Sequence, residues 1–231
     1  MQRIAERAEA LDTQVQTHCN ESLYEKLHGE RFYGRPTMAH LGRLGVLSPR
    51  FSIAHGVWLN DTEIKIMQRT GAAVSHNPSS NLRLRAGIAP LNALLEAGVT
   101  VTLGMDGATL DEDEDFLTEL RLALRLNRVP QLEAAVPSTA QLATRGGAAL
   151  MGKAVQIGTL AAGHKADLLV LNLARIMHPW VAPEADPLEL IALRARRDDI
   201  ETVMVTATSS WATARRPAST KRVRPKRWRR T

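Results

Sequence analysis

Cysteine is nearly absent: one residue, Cys19, in 231, so no internal disulfide can form and a cytoplasmic setting is the default expectation. Aromatic residues make up only 4%, which points to a core of Ala, Leu and Val rather than one built on rings. No run of eighteen apolar residues occurs, and the opening Met1-Gln2-Arg3-Ile4-Ala5-Glu6-Arg7 is a charged helical pattern, unlike a membrane span or a signal peptide. Acid is missing from one end only. Residues 208–231 hold nine Lys or Arg and no Asp or Glu, which leaves 21 basic residues against all 24 acids in the preceding 207. The net charge of +6 and the pI near 10.0 therefore describe a tail on a mildly acidic body. With 44% hydrophobic and 23% charged residues, that body can bury a substantial core.

What is present is a recurrent layout. A short β-branched run from Val15 ends in His18, with Glu21 three residues after the histidine. Phe51-Ser52-Ile53-Ala54-His55 and Ala73-Val74-Ser75-His76 repeat the pattern, and Val99 to Gly104 is a strand closed by Met105-Asp106-Gly107. Helical segments intervene: residues 1–12, the opening around Leu23 and Leu27, Met38 to Leu44, a helix capped by Asn60 or Asp61 and stopped at Gly71, and Pro90 to Ala97. Four strand–turn–helix units at roughly thirty-residue spacing are the rhythm of βα repeats on a parallel sheet. Each strand ends in a chemically capable residue, His18, His55, His76 or Asp106, and carboxyl ends of parallel strands are where such folds place their chemistry.

Beyond the fourth strand, Asp111 to Asp115 reads as an acidic turn favoured by the dipole of a helix over Phe116 to Leu126. A helix over 138–151, with Ser138 as its cap, a buried strand at Leu168 to Leu171, a helix over 184–197 and a strand from Ile200 to Thr206 follow. Cys19 alternates to the face opposite His18, and His28, His40, His164 and His178 read as surface or packing residues.

Taken together, His18-x-x-Glu21, Ala54-His55-Gly56-Val57, Ser75-His76-Asn77-Pro78-Ser79-Ser80-Asn81-Leu82 and Leu103-Gly104-Met105-Asp106-Gly107 resemble the metal-dependent amidohydrolase superfamily, in the branch of nucleobase and adenosine-derivative deaminases and triazine hydrolases. Gly158 to Leu168 is similar to the stretch by which that family returns from its barrel to a small β-sandwich. The resemblance implies a (β/α)8 TIM-type barrel and one divalent metal, Zn²⁺ or Fe²⁺, with His18 and Asp106 among its ligands. It implies Glu21 as proton shuttle, His55 as the group polarising water or substrate, Asp106 as proton acceptor, and His76, Asn77 and Asn81 beside the substrate. The reaction implied is displacement of an amino or similar group from a nitrogen heterocycle by metal-activated water. A zinc deaminase of the cytidine type is disfavoured, because it needs a Pro-Cys-x-x-Cys segment that one cysteine cannot supply.

The sequence also departs from that family. It contains no His-x-His pair, which supplies two further ligands at the first barrel strand, and only four of eight βα units can be found. The expectation is a partial barrel of about the last four units over 1–151, part of a β-sandwich with a helix over 152–207, and a disordered basic tail over 208–231. Metal affinity is expected to be weak or absent and the isolated chain inactive, unless a complementing N-terminal half or a homo-oligomer completes it. The tail admits two readings: a shifted reading frame, which is preferred, or a nucleic-acid-binding arm in which Trp228 stacks among basic residues. No membrane partner is expected. A non-catalytic remnant, or a basic-tailed binding protein using the half barrel as scaffold, is the alternative.

Overall fold

The computed structural model describes residues 1–107, 112–126, 139–182 and 184–212. Four parallel strands, β1 (Val15–Cys19), β2 (Phe51–His55), β3 (Ala73–His76) and β4 (Val101–Leu103), lie in sequence order in one sheet. The register places His18 opposite Ala54, Cys19 opposite His55, and His76 opposite Leu103, so the carboxyl ends align along one edge. β2, β3 and β4 are buried at every position, as expected of a parallel sheet covered on both faces. β1 alternates instead: Gln16 and His18 are exposed while Cys19 is buried.

Helices α1 (Gln2–Ala10), α2 (Leu23–Tyr33), α3 (Thr37–Arg43), α4 (Asp61–Thr70), α5 (Pro78–Arg83), α6 (Leu91–Glu96) and α7 (Phe116–Leu126) connect or flank the strands. Asn60 caps α4 in a reciprocal capping box with Glu63, and Gly71 ends the helix at φ 74°. Ile53, Val74, Met38, Met67, Leu94 and Leu124 form the centre of the core. The amphipathic pattern of α1 buries only Ala8; Ile4 and Leu11 are exposed. No helix among the described residues is long and apolar enough to cross a membrane.

Several expectations change. Pro78, read as a breaker between strand and loop, occupies the first turn of α5, where its missing N–H is no loss. The Leu168 to Leu171 strand (β5) is not buried: Leu169 and Val170 are exposed, because its antiparallel sheet with β6 (Ile200–Val205) and β7 (Thr208–Ala212) is only partly covered. The 184–197 helix is Pro187–Arg194, with Asp186 as cap. Helical structure over 139–150 includes a π-helical turn at Leu142–Gly146; Ser138 lies outside the described residues.

Thr208 to Ala212, expected to begin a disordered tail, instead pairs with β6 through the two-residue turn Thr206-Ala207. Both turn residues adopt positive φ, 51° and 60°, the backbone of a type I′ hairpin, which Asn-Gly fills without strain. Backbone pairing has overridden unsuitable turn chemistry. Replacing Thr206-Ala207 by Asn-Gly is therefore expected to stabilise the fold by about 1–2 kcal/mol, read as a raised urea midpoint. The rest of the proposed tail, 213–231, lies outside the described residues.

Candidate functional site

His55 is the centre of the carboxyl-end cluster. It closes β2 at φ 72° and is almost wholly buried, with Nδ1 2.8 Å from Asn81 Oδ1. Among the described residues its Nε2 has no hydrogen-bond partner; it lies 3.7 Å from Glu21 Oε2 and 3.8 Å from Asp106 Oδ2. The His18 ring stacks on it, with centroids 5.1 Å apart and planes at 28°. Thus His18 and Glu21 from the end of β1, His55 from β2 and Asp106 from beyond β4 meet at one place. Ser80 Oγ donates to Asp106 Oδ2 at 2.7 Å. That bond, with further help from the Gly107 N–H and the two histidines, holds the Asp106 carboxyl below its ordinary value against the opposing effect of burial.

His76 and Asn77 sit behind this cluster. Oriented to suit its surroundings, the Asn77 amide nitrogen donates at 3.2 Å to Ser75 Oγ, His76 O and Gly104 O, tying the ends of β3 and β4 together. A Cβ at Gly104 would come within 2.5 Å of the Asn77 side-chain amide and 2.7 Å of Ser75 Oγ, so glycine is needed for the approach that delivers Asp106 two residues later. Both His76 ring nitrogens are buried without a partner among the described residues, and burial first, then the neighbouring His55, lowers its pKa from 6.5 to about 4. The folded state thus keeps this imidazole neutral where the unfolded chain accepts a proton. The resulting stability is complete above pH 6.5 and lost as pH falls toward 4. Unfolding free energies at pH 7.5 and 4.5 are expected to show about 2–3 kcal/mol of acid destabilisation that His76→Gln removes.

The sequence did not single out the groups that hold the cluster in place. The Glu25 carboxylate accepts from the Asn20 and Glu21 backbone N–H groups, both at 2.9 Å, fixing the turn after β1 where Asn20 takes φ 53°. Asn20 Nδ2 donates to Glu63 Oε1 at 3.1 Å, and Lys26 pairs with Glu63 Oε2 and, at 3.1 Å, with Glu30. On the other flank, three consecutive residues of α5 have three different partners. Ser79 donates its N–H (2.9 Å) and its hydroxyl to the buried Glu119 of α7, Ser80 bonds Asp106, and Asn81 meets His55. Burial raises the Glu119 pKa, with the two Ser79 bonds opposing. The cap at Asn60 was legible in the sequence, but not the Ser22 cap of α2 nor the tasks of Glu25 and Glu63. The other histidines stand apart in kind: His40 stacks on Tyr33 at 3.8 Å and His164 Nδ1 lies 3.0 Å from Thr159 Oγ1.

An orphaned, buried imidazole nitrogen aimed between two carboxylates is a setting that a cation or a polarised water satisfies. Imidazole and carboxylate donors suit Zn²⁺ or Fe²⁺. The residues fit a divalent metal in kind, although among the described residues no group of three or more His, Cys, Asp or Glu side chains is arranged to hold one. A cleft of about 760 Å³ opens elsewhere, at the amino-terminal ends of β1 and β2 beside Val15, Arg50 and Phe51, away from these groups.

Comparison with known proteins places the whole described body of the chain in one family. A family model described as the amidohydrolase family matches residues 1–209. The chain is 34% identical over 196 residues to the 5-methylthioadenosine/S-adenosylhomocysteine deaminase of Thermococcus kodakarensis, covering 83% of this chain and 45% of that protein. It is 35% identical over 208 residues to the 5'-deoxyadenosine deaminase of Methanothermobacter thermautotrophicus, covering 88% and 47%. Among solved structures, a zinc-bound adenosine deaminase from Xanthomonas campestris superposes with a TM-score of 0.83 at 29% identity, over 91% of this chain and 48% of that one. A zinc complex of atrazine chlorohydrolase from Arthrobacter aurescens gives 0.75 at 27%, over 89% and 45%. The chain spans about half the length of the relatives it matches.

Proposed function

The chain belongs to the amidohydrolase family, and from that membership we propose that it carries the proton-handling side of a metal-dependent hydrolase that displaces an amino or similar group from a nitrogen heterocycle such as a nucleobase or triazine. The observation that carries this reading is the convergence of Glu21 and Asp106 on the unbonded Nε2 of His55, with His18 stacked beside it. Relatives named as deaminases of adenosine derivatives support it.

His18 and Asp106 would hold the metal, which when bound supplies a water made nucleophilic at neutral pH. Asp106, kept ionised by the Ser80 hydroxyl, accepts the proton of the attacking water. Glu21, a quarter exposed and able to reach the opening, passes a proton to the departing nitrogen. His55, oriented by Asn81, polarises the water or the ring atom under attack. His76, Asn77 and Asn81 line the substrate side. The ring carbon gains the water oxygen, its bond to nitrogen breaks, and ammonia leaves.

In this proposal the parallel sheet is the last four units of an eight-unit barrel over residues 1–151, followed by a partial β-sandwich over 152–207. Support comes from the sequential strand order and from the exposure of Gln16 and His18 on β1, residues that a neighbouring strand and its side chains would cover. Without a His-x-His pair, this chain alone is inactive and needs a complementing half to supply the remaining ligands. The test is release of ammonia from 5-methylthioadenosine with zinc present. The chain alone is expected to give none. Mixed with the His-x-His-bearing first half of a deaminase relative, it is expected to turn over, and Glu21→Gln to lower that rate by about 10³-fold. Turnover indifferent to Glu21→Gln would overturn the assignment.

A further inference from the structure

Outside the histidine cluster, the described residues contain a second concentration of charge. Between α7 and the segment Arg175–Asp199 lies a cleft of about 490 Å³ whose wall carries Arg121, Arg125, Arg175, Arg194 and Arg196, with Asp199 as its one acid. Of these five arginines, only Arg175 has a carboxylate of the described residues within ion-pairing distance, Asp199 at 3.3 Å. The other Asp199 oxygen already accepts from the Arg196 backbone N–H at 2.9 Å. Nearby Asp115 is similarly engaged, accepting from the backbone N–H groups of Leu117 and Arg197, both at 3.0 Å. Arg121 is held rigidly by backbone carbonyls, its Nε donating to Leu193 O at 2.7 Å and its Nη2 to Ala195 O, so its charge is positioned but not neutralised. Burial lowers the Arg121 pKa, and Arg196 and Arg125 push in the same direction against Asp115 and Asp199.

Five guanidinium groups around one concavity repel one another, and an anion between them reverses the sign of that interaction. Guanidinium forks match phosphoryl oxygens two at a time. The volume lies within the roughly 300–1,000 Å³ range of small-molecule sites and exceeds what a single phosphate fills. We propose that this cleft is a binding site for a small phosphoryl polyanion of at least two phosphoryl groups, independent of the hydrolase site.

The probe is inorganic pyrophosphate, titrated calorimetrically into the full chain at constant ionic strength. Saturable binding of one equivalent is expected, with inorganic phosphate at least ten-fold weaker. Arg125 and Arg196 are exposed and form no ion pair among the described residues, so Arg125→Ala/Arg196→Ala should leave thermal unfolding unchanged while weakening pyrophosphate at least ten-fold. Arg194→Ala, also exposed, serves if that pair perturbs the fold. Affinity unchanged in these variants would assign the binding to the basic residues beyond 212 and overturn the proposal, as would non-saturable binding or equal affinity for phosphate and pyrophosphate.

Discussion

Glu63→Ala is expected to destabilise the fold by about 3–5 kcal/mol, seen as a lowered urea midpoint with an unchanged denaturant slope. Glu63 has no exposed surface, and its two oxygens serve the Lys26 ammonium, the Asn20 amide and the Met38 and Asn60 N–H groups. Alanine removes every acceptor at once. Lys26, itself buried, keeps only the partly exposed Glu30, and the remaining donors lose this acceptor in a buried setting. Leaving one partner of a buried pair behind is the expensive case, more so than never having had the pair. The same substitution frees Asn20, the residue that turns the chain between His18 and Glu21, so stability and site geometry should fail together. A loss below about 1 kcal/mol would show that the network is solvated and does not hold the turn.

Two adjacent glycines provide the second large effect. A Cβ on Gly146 would lie 2.1 Å from the Val101 carbonyl oxygen, a backbone atom of β4. The helical segment runs so close to that strand that Thr102 Oγ1 also bonds Leu142 O at 3.0 Å. β4 cannot retreat without displacing Leu103 and Asp106. Gly146→Ala is therefore expected to destabilise by about 3 kcal/mol. At Gly147 the added carbon would meet only Thr102 Oγ1 at 3.5 Å, an ordinary contact, and Gly147→Ala should be neutral or stabilise by up to about 1 kcal/mol through helix propensity. Paired thermal denaturation of the two variants checks both; equal effects would contradict the close helix–strand approach.

The positions of His18, His55, His76 and Asp106 at strand ends were legible because a strand of a parallel sheet announces itself in a short apolar run, and the residue after the run inherits a fixed place. What surrounds them was not. Ser79, Ser80 and Asn81 carry no hydrophobic period of their own, yet a proline at the first helical position starts α5 and points three neighbouring side chains at Glu119, Asp106 and His55. Glu63 and Glu119 look like ordinary polar helix residues, since nothing local signals that a carboxylate will be buried against partners some 40 positions away. The hairpin at Thr206-Ala207 was missed for the opposite reason: local turn chemistry argued against it, and long-range ladder hydrogen bonds decided.

The most direct test of the site is a zinc titration of the purified chain with a competing chelator. With His18 and Asp106 as the proposed ligands and no His-x-His pair, the expected result is one weak site, with Kd on the order of micromolar or weaker, abolished by His18→Ala and by Asp106→Asn. One tightly held zinc per chain, indifferent to both substitutions, would contradict the account.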